Sequence, residues 1–281
     1  MTEPTSPERT STAHSRELGA YLRLIRRRSN IRVGRLLEVL DWSASKLSKL
    51  ECGARNTPRE DIFFLLGTCG ADKATRDRVM ALVQQTDTGS FLRLHEQSVD
   101  TLFGLRVHEQ QATSVTAYDP VGIPSLVQTD DYAHALTEDT DVVAARMKRQ
   151  SHVVAPVDRR VTIFLRETAL STVVGSTRVM RDQLLHLTLL SGTPNTVIRV
   201  IPQHRGLHSA LCHPATLLTL DTPIQPVVHV ETDVATTFHD DPEIVATYQG
   251  KMRQLSRLAL DPTGSRELLV SWTSRYDTTA A

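Results

Sequence analysis

The chain has 281 residues, 40% of them hydrophobic, with 32 Lys and Arg against 32 Asp and Glu. This composition predicts one large or two ordinary globular domains, and the absence of any run of about 18 apolar residues argues against a membrane span. Three scattered cysteines, Cys52, Cys69 and Cys212, do not resemble a disulfide framework and favour a reducing cytoplasm.

The N-terminus begins with a polar stretch and continues into a basic region. Residues 1–14 lack an apolar signal core, and we expect them to form a disordered tail. Residues 1–58 carry 11 Lys and Arg against 6 Asp and Glu, a balance of +5, whereas the other 223 residues carry 21 against 26, a balance of −5. A basic domain tends to bind a polyanion. The charge asymmetry therefore indicates a nucleic-acid partner, although imbalances of this size are also common in proteins that do not bind nucleic acid.

Residues 15–87 are expected to form a bundle of five helices. Leu18, Leu22 and Ile25 recur at helical spacing, with arginines on the other faces, which predicts the first helix. A second short helix is predicted over 33–40. The fourth and fifth are predicted over about 58–66 and 72–85.

The stretch "DWSASKLSKLE" has the features of a tight turn followed by the third helix. Asp41 tolerates the left-handed conformation, Ser43 is a good N-cap, and Gly53 is a good C-cap. Leu47 and Leu50 point inward, so small polar and basic side chains remain outside. A helix that enters a major groove needs such a slim, hydrogen-bonding face. The pattern predicts a helix-turn-helix, and a solvated basic helix in an ordinary bundle is the alternative.

Residues 17–66 resemble the XRE (lambda-repressor-like) helix-turn-helix family, with "SKLSKLECGARNTP" resembling its third helix and the following loop. By position, the resemblance implies base-facing roles for Ala44, Ser45 and Lys49. It implies phosphate contacts for Lys46, Arg55 and Asn56.

Three positions depart from that family's pattern. Val33 stands where the family often has Gln, Leu37 where a small Ala is usual, and Asp41 where the turn usually has Gly. The fold tolerates these differences, but the base preference of better-known members cannot be transferred.

Residues 88–272 predict an α+β domain with a small, mainly antiparallel sheet. Five segments have strand patterns: "SVTAYDP", "RRVTIFLRE", "TVIRVIP", "ATLLTL" and "VVHVET". The segment "TGSFLRLHEQSVDTLFGLRVHEQQATS" is predicted to form one or two helices. His229 and Glu231 alternate on one strand face, where we expect solvent exposure. Residues 273–281 are expected to form a flexible tail.

This region resembles the C-terminal domain of WhiJ-like, antitoxin-like XRE regulators of actinobacteria. The most specific piece is the pattern P-S-L-V-Q-T-x-x-Y-A at residues 124–133. The resemblance implies a cytoplasmic, nucleoid-associated transcription factor without enzymatic activity. It also implies a small acidic partner protein encoded beside it.

The stretch "PQHRGLHSALCHP" at residues 202–214 collects four side chains that can bind metals: His204, His208, Cys212 and His213. On a helix, three of them would share one face, and structural zinc needs four ligands. Two prolines and a glycine between predicted strands instead favour a loop. We therefore expect no metal and no cofactor, and we place His208 at a ligand pocket.

The sequence thus predicts a sequence-specific DNA-binding transcriptional regulator, which binds double-stranded DNA as a homodimer and is not an enzyme. Its C-terminal domain would dimerise, bind a partner or sense a ligand. One alternative is an antitoxin-like protein that mainly binds a small acidic partner, with DNA binding being autoregulatory. Another is a metal-dependent hydrolase with a DNA-targeting domain.

Overall fold

The computed structural model describes residues 11–53, 58–95 and 98–279, and the chain divides into two compact units. The N-terminal unit comprises Met1–His108, Thr222–Gln225 and Val234–Asp241. The C-terminal unit comprises Glu109–Asp221, Pro226–Asp233 and Pro242–Ala281. The N-terminal unit therefore extends past residue 87, where the sequence placed a boundary, and it includes two later segments.

The described residues form twelve α-helices and seven strands. The first part contains α1 (Ala13–Arg28), α2 (Val33–Leu40), α3 (Ala44–Glu51), α4 (Arg59–Thr68), α5 (Lys73–Gln84), β1 (Ser90–Leu94), α6 (Ser98–Gln111), β2 (Ala112–Tyr118), α7 (Asp130–Leu136) and α8 (Thr140–Val153). The second part contains β3 (Arg160–Arg166), α9 (Glu167–Ser171), α10 (Thr177–Leu190), β4 (Thr196–Ile201), β5 (Ala215–Leu220), β6 (Val227–Glu231), β7 (Ala235–His239), α11 (Pro242–Leu258) and α12 (Pro262–Thr279).

The first five helices of the N-terminal unit surround one apolar core. Each contributes at least one buried side chain, and the most deeply buried are Leu22, Leu36, Ile62, Leu65, Leu66 and Val79. Burying a side chain of this size stabilises the fold by about 1.5–3 kcal/mol. The predicted fourth and fifth helices are confirmed to within two residues at each end.

The first helix begins earlier than the sequence suggested. Thr12 caps α1 in a reciprocal pair: its Oγ1 accepts the Ser15 N–H at 3.1 Å, and its own N–H donates to Ser15 Oγ at 2.9 Å. Such a capping box satisfies two backbone donors at a helix start. The expected tail over residues 1–14 therefore does not include 11–14, and residues 1–10 lie outside the described residues.

Two strands of the N-terminal unit were not predicted. β1 pairs antiparallel with β7, with Phe91 opposite Phe238, and the two rings stack with centroids 5.0 Å apart. The predicted helix over this region is confirmed only for α6. The pattern of β1 misleads because Leu92 is 48% exposed whereas Arg93 is buried against Glu17.

The sheet of the C-terminal unit is mixed, which corrects the expected small, mainly antiparallel sheet. Its five strands lie in the order β6-β5-β2-β3-β4, and these are the five strands that the sequence predicted. β5 pairs antiparallel with β2 and β6, whereas β2-β3 and β3-β4 are parallel. Parallel neighbours require a crossover connection, and the helices between these strands provide it.

The C-terminus continues as helix instead of the expected flexible tail over 273–281. α12 runs to Thr279, and the buried Tyr276 hydroxyl donates to the Leu170 carbonyl oxygen at 2.9 Å. This hydrogen bond and the buried ring tie the last turns of α12 to α9. Of the helices that the structure describes, none combines the length and apolarity needed to cross a bilayer.

The expected exposure of His229 is wrong, and its burial predicts a pH dependence. Glu231 is exposed, but His229 is 4% exposed, and burial together with the positive charge of Arg149 lowers the pKa of His229 to about 3 from 6.5. Between these two values the unfolded chain binds a proton that the folded chain does not. The free energy of unfolding therefore falls as the pH drops from 6.5 towards 3.

Denaturant unfolding between pH 4 and pH 7 measures this slope, and His229→Gln is expected to reduce it. Three other histidines have a pKa lowered by burial and leave a remaining slope of the same sign: the buried His14 and the half-buried His186 and His239. His204→Gln, which removes an exposed histidine from the same unit, is the matched comparison. An identical slope in His229→Gln and the parent chain would contradict the assignment.

Candidate nucleic-acid interface

The turn between α2 and α3 has the predicted geometry. Asp41 adopts the left-handed conformation, with φ 53° and ψ 46°. The Trp42 N–H donates to the Leu37 carbonyl oxygen at 3.0 Å. Ser43 is the N-cap of α3, and its Oγ accepts the Lys46 N–H at 3.1 Å. Both the turn residue and the cap are confirmed, so α2, the turn and α3 form a helix-turn-helix.

The exposed face of α3 contains the residues predicted to read bases. Leu47 and Leu50 are buried in the core of the unit. The three predicted residues are exposed: Ala44, Ser45 and Lys49. Ser48 is also exposed between them, since a residue three or four positions along a helix lies on the same side. The sequence already places Ser48 outside the core, but the family resemblance gave it no base-facing role, although its spacing from Ser45 puts both on the same side of α3.

Two arginines of α1 anchor the end of α3. Arg23 Nε lies 3.1 Å from Glu51 Oε2, Arg26 Nη2 lies 3.0 Å from the same oxygen, and Arg26 Nε donates to Oε1. The hydrogen bond to Glu51 holds the pKa of Arg26 above its ordinary value. Arg26 therefore positions α3 through the buried Glu51 carboxylate, and its charge is already paired.

Backbone contact between α1 and the end of α3 is made possible by two glycines. A Cβ at Gly19 would lie 2.7 Å from both the Leu50 oxygen and the Gly53 nitrogen. Gly53 has φ +77°, and a Cβ there would lie 2.5 Å from the Arg16 nitrogen. The Ser15 hydroxyl donates to the Gly53 carbonyl oxygen at 2.7 Å. These contacts fix the orientation of α3 relative to α1.

Lys46 already has a carboxylate partner, and the other two predicted phosphate contacts fall outside the described residues. Lys46 Nζ lies 2.8 Å from Asp61 Oδ1 and 4.6 Å from the centroid of the Trp42 ring. The side chain is 44% exposed, so a phosphate could reach it only in competition with Asp61. Arg55 and Asn56 lie in the segment 54–57, outside the described residues.

Exposed arginines near the helix-turn-helix were not singled out from the sequence. Arg32 is the N-cap residue of α2 and Arg59 is the first residue of α4. Both are exposed, and neither has an ion pair with the residues that the structure describes. A helix N-terminus favours anions, so both positions suit phosphate contacts. The neighbouring Val33 is 43% exposed, and its apolar side chain offers no hydrogen bond.

The stretch at residues 202–214 is a loop between β4 and β5, as predicted. It contains two one-turn 3-10 helices, Gln203–Arg205 and Ser209–Leu211. His208 Nδ1 accepts the Ala210 N–H at 3.1 Å, and Nε2 lies 2.9 Å from the Gln254 amide. His208 thus fastens the loop to α11, and it does not line the cavity described below. In the described ranges, no group of three or more His, Cys, Asp and Glu side chains is placed to hold a metal.

The fold and the match to known families define a helix-turn-helix protein. Residues 17–79 match a family described as "Helix-turn-helix domain", which supports a DNA-binding regulator with DNA as its partner. Residues 104–271 match a family described as "Domain of unknown function (DUF5753)". This second match covers more than half of the chain, which therefore belongs to the DUF5753 family.

No curated protein matches the chain. Among solved structures, it is similar to TrmBL2, an archaeal chromatin protein whose structure is described as showing a novel mode of DNA binding. The sequences are 13% identical and the TM-score is 0.32, with 72% of this chain and 66% of that chain covered. The chain thus spans slightly less than two thirds of TrmBL2, and the likeness is too distant to bear on the fold.

Proposed function

We propose that this protein is a sequence-specific transcriptional regulator of the XRE type. The observation that carries the proposal is the exposed, slim and polar face of α3. A helix that reads bases must hold its side chains in a fixed position. Glu51 and the glycine contact with α1 provide that support. The expected location is the cytoplasm, on the nucleoid.

The chemistry of α3 suits the edges of bases in a major groove. The Lys49 ammonium can donate to the O6 and N7 acceptors of guanine, and the hydroxyls of Ser45 and Ser48 can donate or accept. Ala44 is small and apolar, as contact with a thymine methyl group requires. Four side chains read few base pairs, so useful specificity needs two half-sites. We therefore include a homodimer in the proposal.

Phosphate contacts would come from basic and amide side chains around α3. Lys46 would exchange Asp61 for a phosphate on binding, and Arg55, Asn56, Arg32 and Arg59 would add further contacts. Each neutralised phosphate releases counterions and steepens the dependence of affinity on salt. Asp61 therefore restrains nonspecific binding through Lys46.

Three replacements separate these roles. Lys49→Ala is expected to change the selected DNA sequence and to cost about 1–3 kcal/mol on the preferred site. Lys46→Ala should weaken binding to all sequences and reduce the salt slope by about 0.9. Asp61→Asn should strengthen nonspecific binding. Selection from random DNA followed by gel shifts at several salt concentrations measures all three.

The matched control is Lys73→Ala, which removes an exposed lysine from α5. It is expected to leave both the selected sequence and the salt slope unchanged. An unaltered sequence preference in Lys49→Ala would overturn the base-reading role. An unaltered slope in Lys46→Ala would overturn its phosphate role.

The C-terminal unit is proposed to dimerise the protein or to bind a small acidic partner, without a catalytic step or a cofactor. The solution mass and co-purification with the product of an adjacent gene test these roles. If a partner complex forms and the DNA that the protein selects lies only at its own promoter, the antitoxin-like alternative replaces the proposal. Near-stoichiometric zinc that is lost in a His204→Ala, His208→Ala double variant would favour the metal-dependent hydrolase.

A further inference from the structure

A cavity of about 410 Å³ opens at one edge of the sheet in the C-terminal unit. Its walls come from the ends of β2 and β6, the beginning of β5, the loop between β2 and α7, and α8. Cavities of about 300–1,000 Å³ that combine apolar walls with a few polar groups are typical of small-molecule sites.

The floor of the cavity is a row of three paired residues. Ala117 pairs with Thr216 across β2 and β5, and Thr216 pairs with His229 across β5 and β6. Directly paired side chains point to the same face of a sheet. The alternate residues belong to the core that includes α11: Tyr118, Leu217 and Val228. Because Ala117 and Thr216 are small, the opposite face retains open space.

Side-chain hydrogen bonds hold the wall formed by residues 119–129. Asp119 Oδ1 accepts the backbone N–H groups of Val121 and Gly122, both at 2.8 Å. Gln150 Nε2 donates to the carbonyl oxygens of Ser125 at 2.8 Å and Gln128 at 2.9 Å. The site is therefore largely formed before a ligand arrives, which reduces the ordering cost of binding. This wall includes most of the pattern at residues 124–133.

Two arginines of α8 line the cavity, but only one is in an ion pair. Arg149 is paired with Glu109, with Nη2 2.6 Å from Oε1, and it donates to Ser125 Oγ at 3.1 Å. Arg146, one turn earlier, is half-buried and reaches only Gln128 Oε1, at 3.5 Å. Within the described part of the chain Arg146 has no ion pair. Its guanidinium therefore keeps donors available for an anion.

The remaining charges favour a singly charged anion over a phosphate. The lining has three acidic residues, the half-buried Asp119 and the exposed Glu231 and Asp233, and they would repel a dianion more strongly than a monoanion. A carboxylate matches the planar fork of one guanidinium, with two parallel hydrogen bonds. The buried His229 adds a neutral imidazole to the floor.

We propose that this cavity binds a small carboxylate, whose anionic group pairs with Arg146 and whose apolar body lies against the loop wall. The apolar positions of the lining include Ala117, Val121, Ile123, Pro124, Leu126 and Leu136. The C-terminal unit thereby acquires a ligand. Only the role of that ligand as a signal for DNA binding rests on the proposed regulatory function. The site itself stands on the cavity, the row of paired residues and the Arg146 guanidinium, which has no ion pair among the described residues.

Calorimetric titration of the full chain with 4-phenylbutyrate and with 4-phenylbutan-1-ol tests the proposal. The two probes share an apolar body and differ in the carboxylate. 4-Phenylbutyrate is expected to bind saturably and about tenfold or more tightly than the alcohol, as a charged hydrogen-bonded pair implies. Arg146→Gln should remove that advantage, and Arg146→Lys should retain part of it.

The control is Arg257→Gln, which removes an exposed arginine from α11 of the same unit and should leave the affinity unchanged. Three outcomes would overturn the proposal: no saturable binding of 4-phenylbutyrate, equal affinity for both probes, or unchanged affinity in Arg146→Gln. If circular dichroism shows that Arg146→Gln does not fold, the test uses Arg146→Lys instead. Equal affinity of Arg146→Lys for the two probes would then overturn the role of the charge. The titration contains no DNA, so its failure is distinguishable from failure of the proposed DNA binding.

Discussion

Replacing Glu109 with alanine is expected to lower the free energy of unfolding of the C-terminal unit by about 3–5 kcal/mol. The Arg149 and Glu109 side chains are only 9% and 2% exposed, and the guanidinium donates to both carboxylate oxygens. Removing the carboxylate leaves a buried positive charge without its counterion. Denaturant unfolding followed by circular dichroism measures the loss.

The buried-charge explanation makes a second, sharper prediction. Glu109→Leu combined with Arg149→Met removes both charges and should cost less than Glu109→Ala alone, since apolar replacements of a buried pair are often close to neutral. Arg178→Ala is the surface comparison, because Arg178 is 80% exposed and lies 3.9 Å from Asp182. It is expected to cost about 1 kcal/mol or less. A Glu109→Ala loss no larger than that of Arg178→Ala would refute the explanation.

The helix-turn-helix could be predicted because its signals are local. Ser43 and Gly53 bound α3, Leu47 and Leu50 define its buried side, and Asp41 tolerates the left-handed turn. Each of these signals acts within a few residues of the chain. The supporting contacts of Glu51 and Gly19 join α1 to α3 across about 30 positions, and no local pattern indicates them.

In the C-terminal unit, the sequence patterns predict which segments form strands but not how the strands pair. All five predicted strands form, but whether neighbours run parallel depends on which strands the crossover helices join. The cavity was missed for the same reason, since Ala117, Thr216 and His229 become neighbours only through strand pairing. β1 was missed because its exposed leucines and buried Arg93 reverse the usual pattern.

Gly19→Ala is expected to destabilise the N-terminal unit, although alanine is the better helix former. In an exposed helix interior this replacement stabilises by about 0.5–1 kcal/mol. At Gly19 the new Cβ would lie 2.7 Å from the backbone of Leu50 and Gly53, and backbone atoms cannot move aside as a flexible side chain can. Overpacking of this kind costs about 1–3 kcal/mol or more, so the net effect should be a loss.

Gly34→Ala is the matched control for Gly19→Ala, because it is expected to stabilise the same unit. Gly34 is exposed in the first turn of α2, and a Cβ there has no heavy atom within 4 Å, so the replacement should stabilise the helix without a steric cost. Thermal unfolding of the two variants should therefore shift the midpoint in opposite directions. Because α1 and α3 must separate to admit the Gly19 methyl group, Gly19→Ala should also weaken binding to the selected DNA sequence. Equal stabilisation by both replacements would mean that α1 does not position α3 through backbone contact.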